Sequence, residues 1–389
     1  MFAFFNPFRK IALLLLSLVT AIVLSACEPV TLGGPSIDTS KPVPVALLVP
    51  KGSAQPGDSV LAQSLENAAR LAIADLGNVR IDLRVYDTAG EADAAAAAAK
   101  KAVGEGAKII LGPVYAQASN AAGLAVLNSR VNVLSFSNNT KIAGGNVFVL
   151  GPTFDNTAQR LVSFAQARGK GNILIVHSTD EAGRVGLEAI RKAIAANGGT
   201  LAGTVSYDLS QESVIASVPV IRDMVASTGA QAIFFTSTTA GALPLFSQIL
   251  PEAGVSTEEV QFIGLTRWDI PTQTLELPGV QGGWFALPDP AKDQQFRARY
   301  QAAYGAAPHP IGGLAYDGIA AIGALVSAGK ADALTGAALT QPAGFQGVGG
   351  IFRLRPDGTN ERGLAVATIQ NRQVVVIDPA PTSFSSAGF

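Results

Sequence analysis

Short apolar runs alternate with stretches of helical periodicity along most of this chain. Val43–Val49, Ile81–Tyr86, Lys108–Leu111 and Val131–Phe136 have the length of strands. Between them the spacing predicts helices over Val60–Leu76, Glu91–Val103 and Ser119–Asn128. Leu61, Leu65, Ala68, Ala69 and Ala72 fall on one face of the first helix, and the second is almost entirely alanine along its middle. A second set begins near Phe154. Its predicted strands are Asn172–His177, Thr204–Tyr207, Ala232–Thr236 and Gln261–Leu265. Its predicted helices are Asn156–Ala167, Gly183–Ala196, Ser213–Ser227 and Gly241–Ile249. Strands that are short, apolar on both faces and separated by helices describe parallel sheets covered on both sides. Two sets with one rhythm predict an α/β protein of two doubly wound parallel-sheet lobes with a cleft between them. After Gly283–Ala286 a helical region follows, including Ile311–Ala328. The chain then ends in antiparallel strands, Gly350–Leu354, Leu364–Ile369 and Val374–Ile377, with Asp357-Gly358 as one turn.

The first residues break this rhythm. Arg9 and Lys10 precede a nearly unbroken apolar run, Ile11–Val23, and then Leu24-Ser25-Ala26-Cys27. A basic start, a short apolar core and small residues before a cut site describe a secretory signal peptide. The run is shorter than the ~20 residues that a bilayer span needs. Cys27 is the only cysteine, so an exported chain has no partner for it within itself. The expected organisation is therefore a signal peptide over 1–26 and a Gly- and Pro-containing tether over 27–43. Lobe 1 is expected over 44–153 plus 285–339, lobe 2 over 154–284 plus 340–378, and a tail over 379–389.

Composition narrows the chemistry. The chain is 48% hydrophobic and 15% charged with a net charge of −1, which suits a globular protein and offers no basic surplus for nucleic acid. In open α/β sheets ligands sit beyond the carboxyl ends of the strands. Here those ends carry polar, small or aromatic residues, and the residues expected to line the cleft are Tyr115, Ser135, Ser137, Asn138, Asn139, His177, Thr236, Ser237, Thr266, Arg267 and Trp268. Each loop also admits the plainer reading that its hydroxyl or amide caps the next helix. No catalytic constellation emerges, and no cofactor or metal is expected. The two histidines, His177 and His309, form no HExxH or other close metal pair. Ser327-Ala328-Gly329-Lys330 has the spacing of the serine–lysine nucleophiles of penicillin-recognising enzymes. There the serine opens a helix, whereas here it closes one and Gly329 reads as the cap.

Leu24-Ser25-Ala26-Cys27 resembles the lipobox of bacterial lipoproteins, which implies a lipid on Cys27. Glu28 stands where an aspartate would resemble an inner-membrane retention signal, which favours the outer membrane. Several residues further on, Val45-Ala46-Leu47-Leu48-Val49-Pro50, Val85-Tyr86-Asp87-Thr88, Ile109-Ile110-Leu111-Gly112-Pro113 and Ala315-Tyr316-Asp317-Gly318-Ile319 resemble, in order and spacing, the type I periplasmic-binding-protein superfamily, in particular its Leu/Ile/Val-binding branch. The resemblance covers about Val43 to Ile377 and implies two lobes that close over a small ligand, with an ABC permease as partner. In amino-acid-binding members, hydroxyls on the first lobe take the carboxylate, while a tyrosine and an acid on the second hold the rest. The matching positions here are Tyr115-Ala116-Gln117-Ala118, Ser137-Asn138-Asn139, Ala182 and Thr266-Arg267. Leu243-Pro244-Leu245-Phe246 with Gly264-Leu265-Thr266-Arg267 resembles the lipoprotein activators of penicillin-binding proteins, which implies a regulator of peptidoglycan synthesis acting by surface contact. The activator is the first expectation. The transporter subunit for an amino acid or related small anion is the second.

Overall fold

The computed structural model describes residues 33–384. The signal segment over 1–26 and Cys27 itself lie outside the described residues. Lobe 1 is built on β1 (Val43–Val49), β2 (Ile81–Asp87), β3 (Ile109–Leu111), β4 (Asn132–Ser135) and β5 (Val147–Val149). They form one all-parallel sheet in the order β2-β1-β3-β4-β5. Alternate residues of β1 feed two half-cores. Val43, Val45, Leu47 and Val49 pack on one side with α1 (Asp58–Asp75), and Ala46 and Leu48 pack on the other with α2 (Ala92–Gly104) and α3 (Ala116–Val126). Burial on both faces is why these strands read as apolar runs.

Lobe 2 repeats the plan. β6 (Asn172–Ser178), β7 (Thr200–Tyr207), β8 (Ala232–Phe235), β9 (Gln261–Gly264) and β10 (Trp284–Leu287) run parallel in the order β7-β6-β8-β9-β10. The first four are linked by α5 (Glu181–Ala196), α6 (Gln211–Thr228) and α7 (Leu243–Glu252), while α4 (Phe154–Ala167) leads into the sheet. Leu174 and Val176 of β6 enter the half-core that contains Val214, Ile221 and Phe246, and Ile173 and Ile175 enter the one with Leu161 and Ile190. On the far side of β10 the sheet continues antiparallel through β14 (Ala365–Gln370) and β15 (Gln373–Asp378).

The chain between β10 and β14 returns to lobe 1. It contains α8 (Pro290–Tyr304), α9 (Gly313–Ser327), α10 (Gly336–Leu339) and a small antiparallel sheet of β11 (Phe345–Gly347), β12 (Gly350–Leu354) and β13 (Asn360–Arg362). Phe296, Ile319, Leu339, Phe345 and Phe352 all join the lobe 1 core. Two expectations are corrected by this. Residues 285–287 pair with β9 and β14 and so belong to lobe 2, and residues 340–362 pack on lobe 1. The expected tether also shortens, because Gly33–Ile37 is docked. Ile37 is buried, its N–H bonds to Ala331 O, and Gly33 O accepts from the Asn132 amide. The tail is held as well. Ala380 is buried in lobe 2 and the Arg353 guanidinium lies 4.5 Å from the Phe384 ring.

Among the described residues three crossovers join the lobes: 150–153, 288–289 and 363–364. A polar cluster fixes the first to the third. Asn360 donates to Val149 O and Gly151 O at 2.8 Å each, and its Oδ1 accepts from Asn156 of α4. Arg362 donates to Leu150 O and pairs at 3.0 Å with Asp317, which is 1% exposed. Burial pushes the Asp317 carboxyl above the ordinary carboxylate range, and Arg362 pulls it back.

Candidate functional site

Both sheets share one strand order, so each has one place where successive connections leave in opposite directions. That switch point is β1/β3 in lobe 1 and β6/β8 in lobe 2, and open α/β sheets hold ligands there. Of the expected residues, Tyr115, His177, Thr236 and Ser237 stand at these two places, while Ser135 and Ser137–Asn139 lie at the end of β4 and Thr266–Trp268 follow β9.

In lobe 1 Tyr115 follows β3 and precedes α3. Its hydroxyl donates to Asp58 Oδ1 at 2.6 Å, spanning from the β3 loop to the start of α1. The hydrogen bond to the carboxylate, with burial behind it, pushes the phenol up to about 12, so Tyr115 stays a neutral donor. A Cβ on Gly90 would meet the Tyr115 ring at 3.1 Å, so the glycine after β2 leaves the space that the ring occupies. Ser137 is buried and its Oγ accepts from the Asn139 N–H at 3.1 Å. Asn138 and Asn139 are exposed, and Asn139 Oδ1 caps the next helical turn through Lys141 N–H at 2.9 Å. Ser135 is fully buried. It donates to Pro113 O or Ser119 Oγ and accepts from Ser137 N–H, so it shapes the loop from within and does not face the cleft.

In lobe 2 His177 and Ser178 end β6. His177 is 9% exposed, and its Nδ1–H donates to Ser178 O at 3.0 Å, which orients the ring. Thr236 Oγ1 accepts from Ser178 N–H at 3.3 Å, tying the β6 and β8 ends together, and Ser237 is buried beside it. Thr266 reaches back to Ser237 O. Arg267 is half-buried, but its guanidinium fork is filled by Asp269, at 2.9 Å through Nε and 2.5 Å through Nη2. An arginine whose fork is filled by a carboxylate two residues on is a weak anchor for an outside anion. Trp268 is the clear correction. It is 0% exposed and belongs to the lobe 2 core, where its indole fills the space left by two glycines. A Cβ on Gly264 would stand 2.2 Å from its Nε1, and one on Gly283 would stand 2.3 Å from its ring.

The capping reading holds for other rim residues. Asp180 accepts from Gly183 N–H at the start of α5, and Thr153 accepts from Asn156 N–H at the start of α4. Ser327 closes α9, donates to Ala324 O and is followed by Gly329 at φ 71, as a helix C-terminus requires.

Two site features escaped the sequence reading. Asp58 is one: an acid just ahead of an amphipathic helix looks like any helix-starting residue, and only the fold brings Tyr115 onto it. The other is an ion pair across the cleft. Lys141, from lobe 1, reaches Glu181 at the start of α5 in lobe 2 at 2.7 Å, and Arg184 holds the second oxygen at 2.9 Å. Those two cations, Lys141 first, hold the Glu181 carboxyl down at about 2.

Comparison with known proteins identifies the architecture. Residues 42–373 match the periplasmic binding protein family. No curated protein sequence matches the chain. Among solved structures, a protein described as a branched-chain amino acid ABC transporter from Rhodospirillum rubrum is 20% identical, covering 87% of this chain and 100% of that one, with a TM-score of 0.73. An ABC transporter substrate-binding protein from Desulfitobacterium hafniense in complex with Leu is 17% identical over 87% of this chain and 100% of that one, TM-score 0.62. A solute binding protein from Rhodopseudomonas palustris in complex with 3,4-dihydroxy benzoic acid is 18% identical over 88% and 98%, TM-score 0.58. At such identities the likeness is one of fold, and these structures already hold chemically different ligands. The chain belongs to the periplasmic binding protein family, of the type I, leucine-binding-protein-like kind.

Proposed function

We propose that this chain is the solute-binding subunit of an ABC transporter, that it delivers a small organic solute of amino-acid type to a permease, and that it catalyses no reaction. The observation that carries this is the pairing of two switch points on lobes joined by only three short crossovers, in a chain of a solute-binding family. The activator reading gains no support from the relatives named above, which are transporter components or solute-binding proteins.

A thermal-shift panel of amino acids, short peptides, muropeptides and small organic acids tests the reading. A solute at 100 times its Kd adds about 2.7 kcal/mol to stability. A raised melting point with at least one solute is the expected result. A flat panel, together with capture of a penicillin-binding protein, would overturn it. The reading includes a lipid on Cys27 in the periplasm, and membrane fractionation bears on function too. A permease partner needs the chain within reach of the inner membrane, so recovery there agrees with transport. Recovery in the outer membrane alone, which Glu28 favours, supports the activator.

A further inference from the structure

The parallel strands of lobe 1 all start at one end of the sheet, opposite the end that carries the β1/β3 crevice. The described chain enters at that starting end. The Ile37 N–H bonds to Ala331 O just after α9, and the Gly336 N–H bonds to Gly33 O. The Asn132 amide at the start of β4 reaches both Gly33 O and Leu334 O. A Cβ on Gly34 would stand 2.6 Å from the Thr335 backbone, so this segment is packed closely onto the lobe. Cys27 stands six positions ahead of Gly33, and six fully extended residues reach about 20 Å. A lipid on Cys27 therefore keeps this end of lobe 1 within about 20 Å of the bilayer. The same end carries the exposed leucines of lobe 1. Among the described residues these are Leu124, 65% exposed in the last turn of α3, and Leu127, 47% exposed in the turn that follows. Arg130 and Lys330, both exposed, flank the point of entry, the first two residues before Asn132 and the second next to Ala331. Asp332, exposed beside Lys330, offsets part of this charge.

We propose that this end of lobe 1 rests on the phospholipid bilayer, with Leu124 and Leu127 at the boundary of headgroups and acyl chains and Arg130 and Lys330 against headgroup phosphates. This rests on the lipid at Cys27 and goes beyond the solute-binding reading, because it fixes how the molecule stands on its membrane. Leucines gain by leaving water at that boundary, and cations at headgroup level add attraction to the phosphates. The short link supplies the rest, since it holds the surface beside the bilayer at a high effective concentration. The anchor brings this end to the membrane whatever else the protein binds, so the occupant is a bilayer and not a protein partner. The carboxyl ends of the lobe 1 strands, and with them the β1/β3 crevice, then point away from the bilayer.

Fluorescence quenching on the lipidated chain in phosphatidylcholine–phosphatidylglycerol vesicles tests this. Once Cys27 carries its lipid, an introduced cysteine is the sole free thiol. Asn128→Cys places a dye beside Leu127, and Gln211→Cys places one at the start of α6 in lobe 2, both at exposed positions. With lipids that carry a nitroxide on the headgroup, the dye at 128 should lose most of its fluorescence and the dye at 211 should keep it. Leu124→Asp combined with Leu127→Asp should restore the signal at 128, while the chain still floats with the vesicles. Equal signals at the two positions, or quenching at 128 that survives both substitutions, would overturn the proposal and leave the solute-binding reading standing. A chain that does not float with vesicles would remove the anchor and overturn the proposal with it. Should the double variant fail to fold, the comparison of 128 with 211 still decides.

Discussion

Gly264 and Gly283 leave room for one side chain. The Trp268 ring lies where either Cβ would stand, so a methyl at 264 has to displace an indole that is 0% exposed. Overpacking of this kind costs about 1–3 kcal/mol. Gly264→Ala should lower the melting temperature by that equivalent, and an unchanged melt would show that the ring has room to move. The residue scale is also where sequence reading is weakest. A polar or aromatic residue after a strand can face the cleft, cap the next helix or turn back into the core, and one chain presents all three alike. Tyr115 follows β3 and Ser135 ends β4, yet one reaches Asp58 and the other is enclosed between Pro113 and Ser119. At Cys27, Cys27→Ser should abolish incorporation of labelled palmitate, and continued labelling would remove the lipid from this account.

At the scale of elements, the hinge carries the largest expected energies. Asp317 meets Arg362 where α9 faces β13, and Arg362 also holds Leu150 O of the first crossover. Asp317→Ala leaves that guanidinium buried without its anion, a loss of about 3–5 kcal/mol. Urea unfolding should show it, and wild-type stability would mean that the Leu150 carbonyl suffices. The Lys141–Glu181 pair is exposed, so it adds little to stability. Glu181 titrates lower in the folded chain than in the unfolded one. Its contribution is therefore present above the unfolded value of 4.5 and lost as pH falls through about 2. Lys141→Ala should widen the solute-free chain in X-ray scattering at pH 7, and an unchanged profile would show that the pair follows the opening without setting it. Long elements were legible because β1 or β6 buries residues on two faces and α5 presents a stripe. The three-residue strands β5, β11 and β13 offer no period to detect, and α8 buries only Phe296 and Tyr300.

At the scale of the whole molecule, one strand order used twice places two switch-point crevices at corresponding positions of two lobes. The two-lobe plan was legible because the βα rhythm restarts near Phe154. The lobe assignment of residues 340–362 was not, because three short strands paired among themselves carry no mark of which core they cover. Phe345 and Phe352 settle it by packing on lobe 1. Two lobes on three short crossovers can change their angle at little cost, and a solute held by both crevices would draw them together. Small-angle X-ray scattering of the full chain in detergent, with and without the solute that raises its melting point, measures this directly. The account expects the solute-bound form to have the smaller radius of gyration. A solute that binds tightly and leaves the radius of gyration unchanged would contradict closure around a ligand held between the lobes.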